Sequence, residues 1–336
     1  MHKSEATDDE VFLINRYLLS LSLILFALAF SLLQKASGAE VIIALPTKSF
    51  QQIIFPLALE RGYMKEEGID LKVTFMEPTP SIQALVADSI QLTASGGSAL
   101  VAIARGNIPA KVVLAVNDRV HQWILSRPNI TNIKDLKGKK IATTGVASVS
   151  TFMFKNILPK YGLDGKDVVF TDPGVGNQAV ALMSGAVDAA IVSVEQRYAG
   201  IDNGIKELMY LGNEVKNSWG TSAASDKFMK EQPKLMAGFT RATLKALRLI
   251  RKDRDGTIAA FGKFSGLPAA TVTRLYDDLI GTFTANGAVD EDTQKNDLAV
   301  IRQVLDAKET LAPARAFDFS FALEADRQLN KSGWKP

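Results

Sequence analysis

From Val41 onward, short apolar runs alternate with stretches whose apolar residues recur every three to four positions. VIIAL (41–45) predicts a strand, and FQQIIFPLALERGYM (50–64) follows with helical spacing. IDLKVTFM (69–76) predicts a strand, SIQALVADS (81–89) a helix, IQLTA (90–94) a strand, SALVAIARG (98–106) a helix and AKVVLAV (110–116) a strand. Such alternation with brief connections is the pattern of a parallel sheet covered by helices.

After the extended run VHQWILS (120–126), a second series begins. IATT (141–144), VVFTD (168–172), VDAAIVS (187–193) and IKELMYL (205–211) predict strands. STFMFKNILPKYG (150–162), disturbed at Pro159, NQAVALMSG (177–185) and EQRYAGIDNG (195–204) predict helices. Beyond GTSAAS (220–225) the regime changes, and nearly everything to about Leu305 reads as helix, broken at Gly266–Pro268 and Gly281–Gly287. The fold class expected is therefore α/β, with two similar lobes and a helical C-terminal tail.

The N-terminus differs from all of this. Arg16 precedes the uncharged YLLSLSLILFALAFSLL (17–33), and Ser37 and Ala39 supply the small residues a signal peptidase requires. A signal peptide over residues 1–39, cut before Glu40, is the expectation. Its acidic start, SEATDDE, and its long apolar core keep an uncleaved membrane anchor as the rival reading.

Composition narrows the chemistry. The 336 residues are 47% hydrophobic, enough for two ordinary cores, and a net charge of +3 gives no basic field for nucleic acid. There is no cysteine and there are two histidines, His2 and His121. Disulfides, thiolate metal sites, a cysteine nucleophile and a histidine-rich metal centre are excluded, and no metal or cofactor is expected.

Four strand-to-helix crossings are rich in small polar residues: PTKSFQQ (46–52), ASGGS (94–98), TTGVASVS (143–150) and DPGVGNQ (172–178). Ligands of open parallel sheets bind where strands end and helices begin, and free N–H groups there favour an anion or a partly negative oxygen. Ser148 or Ser150 equally suits a helix N-cap, and the glycines suit ordinary turns. No phosphate loop, dinucleotide fingerprint or G-x-S-x-G elbow occurs. Glu195, just past VDAAIVS, could partner an amine on a ligand, and Lys48 could supply a positive charge. Trp123 and Trp219 fall near the lobe boundaries, where an aromatic either lines a cleft or packs.

FPLALERGYMKEEGIDLKV (55–73), SIQALVADSIQLTASGGSALVAIARG (81–106), DLKGKKIATT (135–144) and ALMSGAVDAAIVSVEQ (181–196) carry a resemblance in their order and spacing. The chain resembles periplasmic substrate-binding proteins of ABC transporters in the nitrate, sulfonate, taurine and thiamine-precursor class. This implies a type II binding-protein fold with a cleft between two α/β lobes, lobe one being residues 40–124 and 219–336 and lobe two 125–218. It implies contact positions at Lys48, Ser49, Phe50 and Gln51, at Ser95, Gly96 and Gly97, at Thr144, Gly145, Ser148 and Ser150, and at Asn177, with Glu195 at a position where many relatives carry glutamate. Trp219 joins them as a cleft aromatic. A periplasmic, monomeric solute receptor is expected, not an enzyme, serving an ABC permease with its ATPase. Two ligand classes stay open: a sulfonate- or carboxylate-like anion, and an amine or nitrogen heterocycle such as a thiamine precursor. A membrane-anchored sensory domain is the other alternative.

Overall fold

The structure, a computed structural model, describes residues 38–174 and 176–336. The apolar leader at 17–33 lies outside the described residues. Among the described residues no helix is long and apolar enough to cross a membrane.

Ten strands form two five-stranded sheets. In chain order they are β1 (Ala39–Leu45), β2 (Ile69–Phe75), β3 (Leu92–Thr93), β4 (Ala110–Asn117), β5 (Trp123–Ser126), β6 (Lys140–Ala142), β7 (Val169–Thr171), β8 (Ala189–Val192), β9 (Lys206–Tyr210) and β10 (Trp219–Ser225). The first sheet runs β2-β1-β3-β10-β4 and the second β7-β6-β8-β5-β9. β1 pairs parallel with β3, as β6 does with β7 and β8. Each sheet also takes one antiparallel strand near its centre. β10 lies between β3 and β4, Thr221 facing Ala115, and β5 between β8 and β9, Leu125 facing Ala190. The chain thus leaves the first sheet after β4, builds the second, and returns as β10.

β10 is the element the pattern missed. GTSAAS has no branched or aromatic run, so periodicity marks it only as a change of regime. Its Thr221, Ser222, Ala223, Ala224 and Ser225 are all buried, and small side chains are what a strand covered by helices on a crowded face admits. The long helix expected over 50–64 is also divided. A 3-10 turn at Phe50–Ile53 leads into the helix Ile54–Glu60, and Gly62, at φ 76°, separates a last short helix, Tyr63–Glu66. Pro159 acts as its rigid ring predicts: the helix Val149–Ile157 gives way to a 3-10 turn there.

The helical C-terminal segment ties the halves together. Phe261, Tyr276 and Phe283 pack edge-on around Phe50, on the side of the first sheet. The helix Glu291–Val304 serves both halves. Its Leu298 and Ile301 join an apolar cluster with Leu100, Ile103 and Val112, whereas Val300 packs with Ile141, Phe154 and Ile191 of the second half.

Candidate functional site

A cavity of about 390 Å³ opens between the two α/β lobes. Its first wall is made where parallel strands of the first sheet end. Pro46 follows β1 and leads to Gln51 and Gln52, while Ala94 and Ser95 follow β3 and lead into the helix Gly96–Gly106. Opposite lie Val149 and Met153, four residues apart on one face of the helix Val149–Ile157. The return crossover Ser218–Thr221 and, from the helix Glu291–Val304, Asp297 and Ile301 complete it.

Close approach at the back of the cavity depends on glycine. A Cβ on Gly96 would lie 2.3 Å from Thr221 Oγ1, so the tip of its helix reaches β10 only without a side chain. Gly220 has φ +61°, and a Cβ there would lie 2.9 Å from both Asn117 Oδ1 and Gln51 Cγ.

The polar atoms facing this space have no partners within the protein. Ser95 stands at the N-cap position of its helix, yet its side chain caps nothing, and its Oγ is buried and unpaired. Gln52 is 3% exposed and its Oε1 is likewise unpaired. An unmet buried donor or acceptor costs about 1–3 kcal/mol, so two on one cavity wall mark places where a bound molecule completes the hydrogen bonding. The first turn of the Ser95-led helix adds N–H groups with no side-chain cap.

Asp297 is 6% exposed and is the one ionisable residue in the lining. Burial is the main cause that raises its pKa, to about 6, against the lowering effect of hydrogen bonds from Ser218 and Asn217. No Lys, Arg or His lines the cavity.

Five residues singled out from sequence meet here: Gln51, Ser95, Gly96, Gly97 and Trp219. The other nine lie elsewhere. Phe50 is 1% exposed and packed against Phe261 and Phe283. Lys48 is exposed, its Nζ 5.7 Å from the Phe75 ring and 6.0 Å from that of Phe264. Ser49 has a buried, unpaired Oγ outside the cavity lining.

In the second lobe Thr144 is exposed, and the hydroxyls around it satisfy one another. Ser148 accepts from Thr151 N as a helix N-cap, Thr151 Oγ1 donates to Gly145 O at 2.8 Å, and Ser148 and Ser150 hydroxyls lie 3.2 Å apart. Asn177 donates to Pro173 O, and Glu195 is half-buried in the first turn of the helix Val194–Asp202. Trp123 stacks on Tyr210 at 4.6 Å with the Arg197 guanidinium 5.3 Å from its ring, and does not line the cavity.

Sequence reasoning missed Gln52, Met153, Ser218, Thr221 and Asp297. A signal existed for the last: in EDTQKNDLAVIRQV the acid falls four residues before Ile301, on the apolar face of its helix.

Two mixed α/β lobes, joined through antiparallel crossover strands and holding a cavity at the strand ends, define a type II periplasmic binding-protein fold. The chain belongs to the NMT1/THI5 like family, whose sequence model matches residues 49–256. It is 24% identical over 210 residues to the formylaminopyrimidine-binding protein of Halalkalibacterium halodurans, a match covering 59% of this chain and 62% of that relative's length. Among solved structures, a putative sulfonate-binding protein SsuA from Methylobacillus flagellatus KT superposes with a TM-score of 0.75 at 19% identity, covering 89% of this chain and 98% of that one. The alkanesulfonate-binding protein SsuA from Xanthomonas axonopodis pv. citri, bound to MOPS, gives 0.65 at 22% identity, covering 83% and 98%. The desulfurization enzyme DSZB gives 0.62 at 15%, covering 87% and 99%. Both binding proteins and an enzyme thus share the fold, so the site has to decide between them.

Proposed function

We propose that the protein is an extracytoplasmic solute receptor that holds one small organic molecule between its lobes and presents it to an ABC importer. The observation that carries this reading is the cavity wall at Gln52 and Ser95, where two buried polar atoms without partners flank an uncapped helix tip. Oxygen or nitrogen atoms of a solute would pair with these groups. Leu100, Val149, Met153 and Ile301 would enclose its apolar part. No nucleophile with an adjacent base faces the cavity lining, which favours binding over turnover.

Lobe one is taken as residues 40–124 with 219–336 and lobe two as 125–218. Binding drives closure to the extent that the solute contacts both, since only differential affinity shifts a population. The leader would direct export to the periplasm, where the receptor works as a monomer. A mature chain starting near Glu40, read by N-terminal sequencing of the periplasmic fraction, is the expected result. An intact leader in the membrane fraction would favour an anchored sensory domain instead.

Between the two ligand classes, the lining favours an amine or nitrogen heterocycle over a sulfonate. It offers a carboxylate and amide oxygen but no cation, and a buried anion needs a charged or strongly donating partner. The relative named for formylaminopyrimidine binding agrees with this choice. Native mass spectrometry of freshly purified protein tests the reading. A small nitrogenous molecule should travel with the wild type and be lost from Ser95→Ala. Protein that carries nothing and binds no candidate solute in titration would refute it.

A further inference from the structure

The receptor reading uses the helix tip and the apolar walls but gives no role to Asp297. Its carboxylate is held in place by three neutral donors. Oδ1 accepts from Asn217 Nδ2 at 2.9 Å and from the Ser218 N–H at 3.1 Å, and Oδ2 accepts from Ser218 Oγ at 2.5 Å. A carboxylate offers about four lone-pair positions, so one remains on Oδ2. Because Asp297 itself lines the cavity, that remaining position is open to a solute.

The cations around it are engaged elsewhere or remote. On its own helix, Lys295 pairs with Glu291, and Arg302 donates to Ala307 O. On the crossover, Lys216 pairs with Asp290 and Asp292, and Glu214 is taken by Lys160. On the packed helices, Lys155 lies over Phe152 and Phe170, Arg315 donates to Asn107, and Arg105 is in the last turn, away from the Gly96 tip. Asp297 is therefore a buried acid with no counterion from the protein. Such a group is costly by itself and gains most from a cation or N–H donor brought by a ligand.

We infer that Asp297 is the specificity-determining residue of the cavity, selecting solutes that present a positively charged or N–H-bearing nitrogen at this wall and disfavouring anions of similar size. The inference rests on the receptor reading and names the chemistry that the receptor reads. Ser218 and Asn217 belong to the segment returning to the first sheet, so the carboxylate that meets the solute is anchored to the crossover itself.

The test is calorimetric titration of wild type, Asp297→Asn and Ser95→Ala with three probes: benzylamine, 4-aminopyrimidine and benzenesulfonate. Asn keeps the shape and can still accept from Ser218 N–H, so the variant removes charge with little change in packing. Wild type should prefer the two nitrogen probes, and Asp297→Asn should lose about tenfold or more for benzylamine while holding or gaining affinity for benzenesulfonate. Benzylamine stays charged across the range, so its affinity for wild type should rise about tenfold from pH 5 to pH 7.5 as Asp297, with its pKa near 6, ionises. In Asp297→Asn that profile should be flat, which a merely structural role would not produce. Unchanged benzylamine affinity in Asp297→Asn, with Ser95→Ala still weakening binding, overturns the inference and leaves the receptor standing. No response to any probe, with no effect of Ser95→Ala and no co-purifying solute, removes both.

Discussion

Ser95 and Ser148 show how one residue type at one kind of position comes to do two things. Both stand at the N-cap of a helix after a strand. Ser148 turns onto Thr151 N and is satisfied, whereas Ser95 leaves its hydroxyl unpaired at the cavity. Ser148→Ala should therefore cost about 1 kcal/mol of stability, the usual worth of a cap, and leave solute affinity unchanged. Ser95→Ala should leave stability nearly unchanged and weaken binding about ten- to a hundredfold. Chemical denaturation and titration of the two variants separate these roles. Gly96 supplies a third case. Gly96→Ala puts a methyl on Thr221, whose backbone cannot retreat inside β10, and should cost about 1–3 kcal/mol and reduce binding. Gly97→Ala, with nothing within 4 Å of the added carbon, is the control for helix propensity alone.

Among the elements, the C-terminal helices do more than extend the first lobe. Asp278, on the helix Ala269–Leu279, accepts from Arg197 at 2.6 Å and from Tyr198 Oη at 2.8 Å, both on the helix Val194–Asp202 of the second half. Arg274 pairs with Asp202 at 3.0 Å and lies 4.1 Å from the Tyr198 ring centroid. This polar strap holds the halves together away from the cavity. Because Asp278 and Arg274 are about 40% exposed, Asp278→Ala should cost only about 0.5–1 kcal/mol, and the cost should shrink in high salt. Denaturant midpoints at two ionic strengths check this. The alternating elements were legible because buried strands and amphipathic helices leave period and length in the sequence. β10 was not, since its small residues carry packing information that depends on what covers them. The same limit applies to the loop 143–151. Its hydroxyls looked like a ligand grip, but Thr143, Ser148 and Thr151 bond among themselves, and the second lobe reaches the cavity through Val149 and Met153.

At the level of the whole molecule, two buried ionisable groups pull stability in opposite directions with pH. His121 is 4% exposed, its Nε2 2.8 Å from Thr282 Oγ1, and burial lowers its pKa to about 3. The unfolded chain binds that proton at about 6.5, so stability from this site is present above pH 6.5 and is lost as pH falls toward 3. Asp297 has the opposite sign. Its raised folded pKa makes its contribution greatest below 3.8 and lost as pH rises through 6. The larger histidine shift should win, giving net acid destabilisation below about pH 6. His121→Asn should flatten that limb in thermal melts across pH 4–8, and a steeper acid loss than wild type would contradict the assignment.

Hydropathy, glycine and proline placement, and the missing cysteines were enough to determine a two-series α/β chain without thiolate chemistry, with polar strand ends as the natural place for a ligand. Those features are local, because each follows from the conformational preferences and burial of neighbouring residues. Which polar groups stay unsatisfied is a different kind of property. Ser218 and Asp297 are 79 residues apart, and Ser95 and Met153 lie on opposite walls. Only the folding of distant segments against one another decides which hydrogen-bonding groups find partners inside the protein and which are left for a solute.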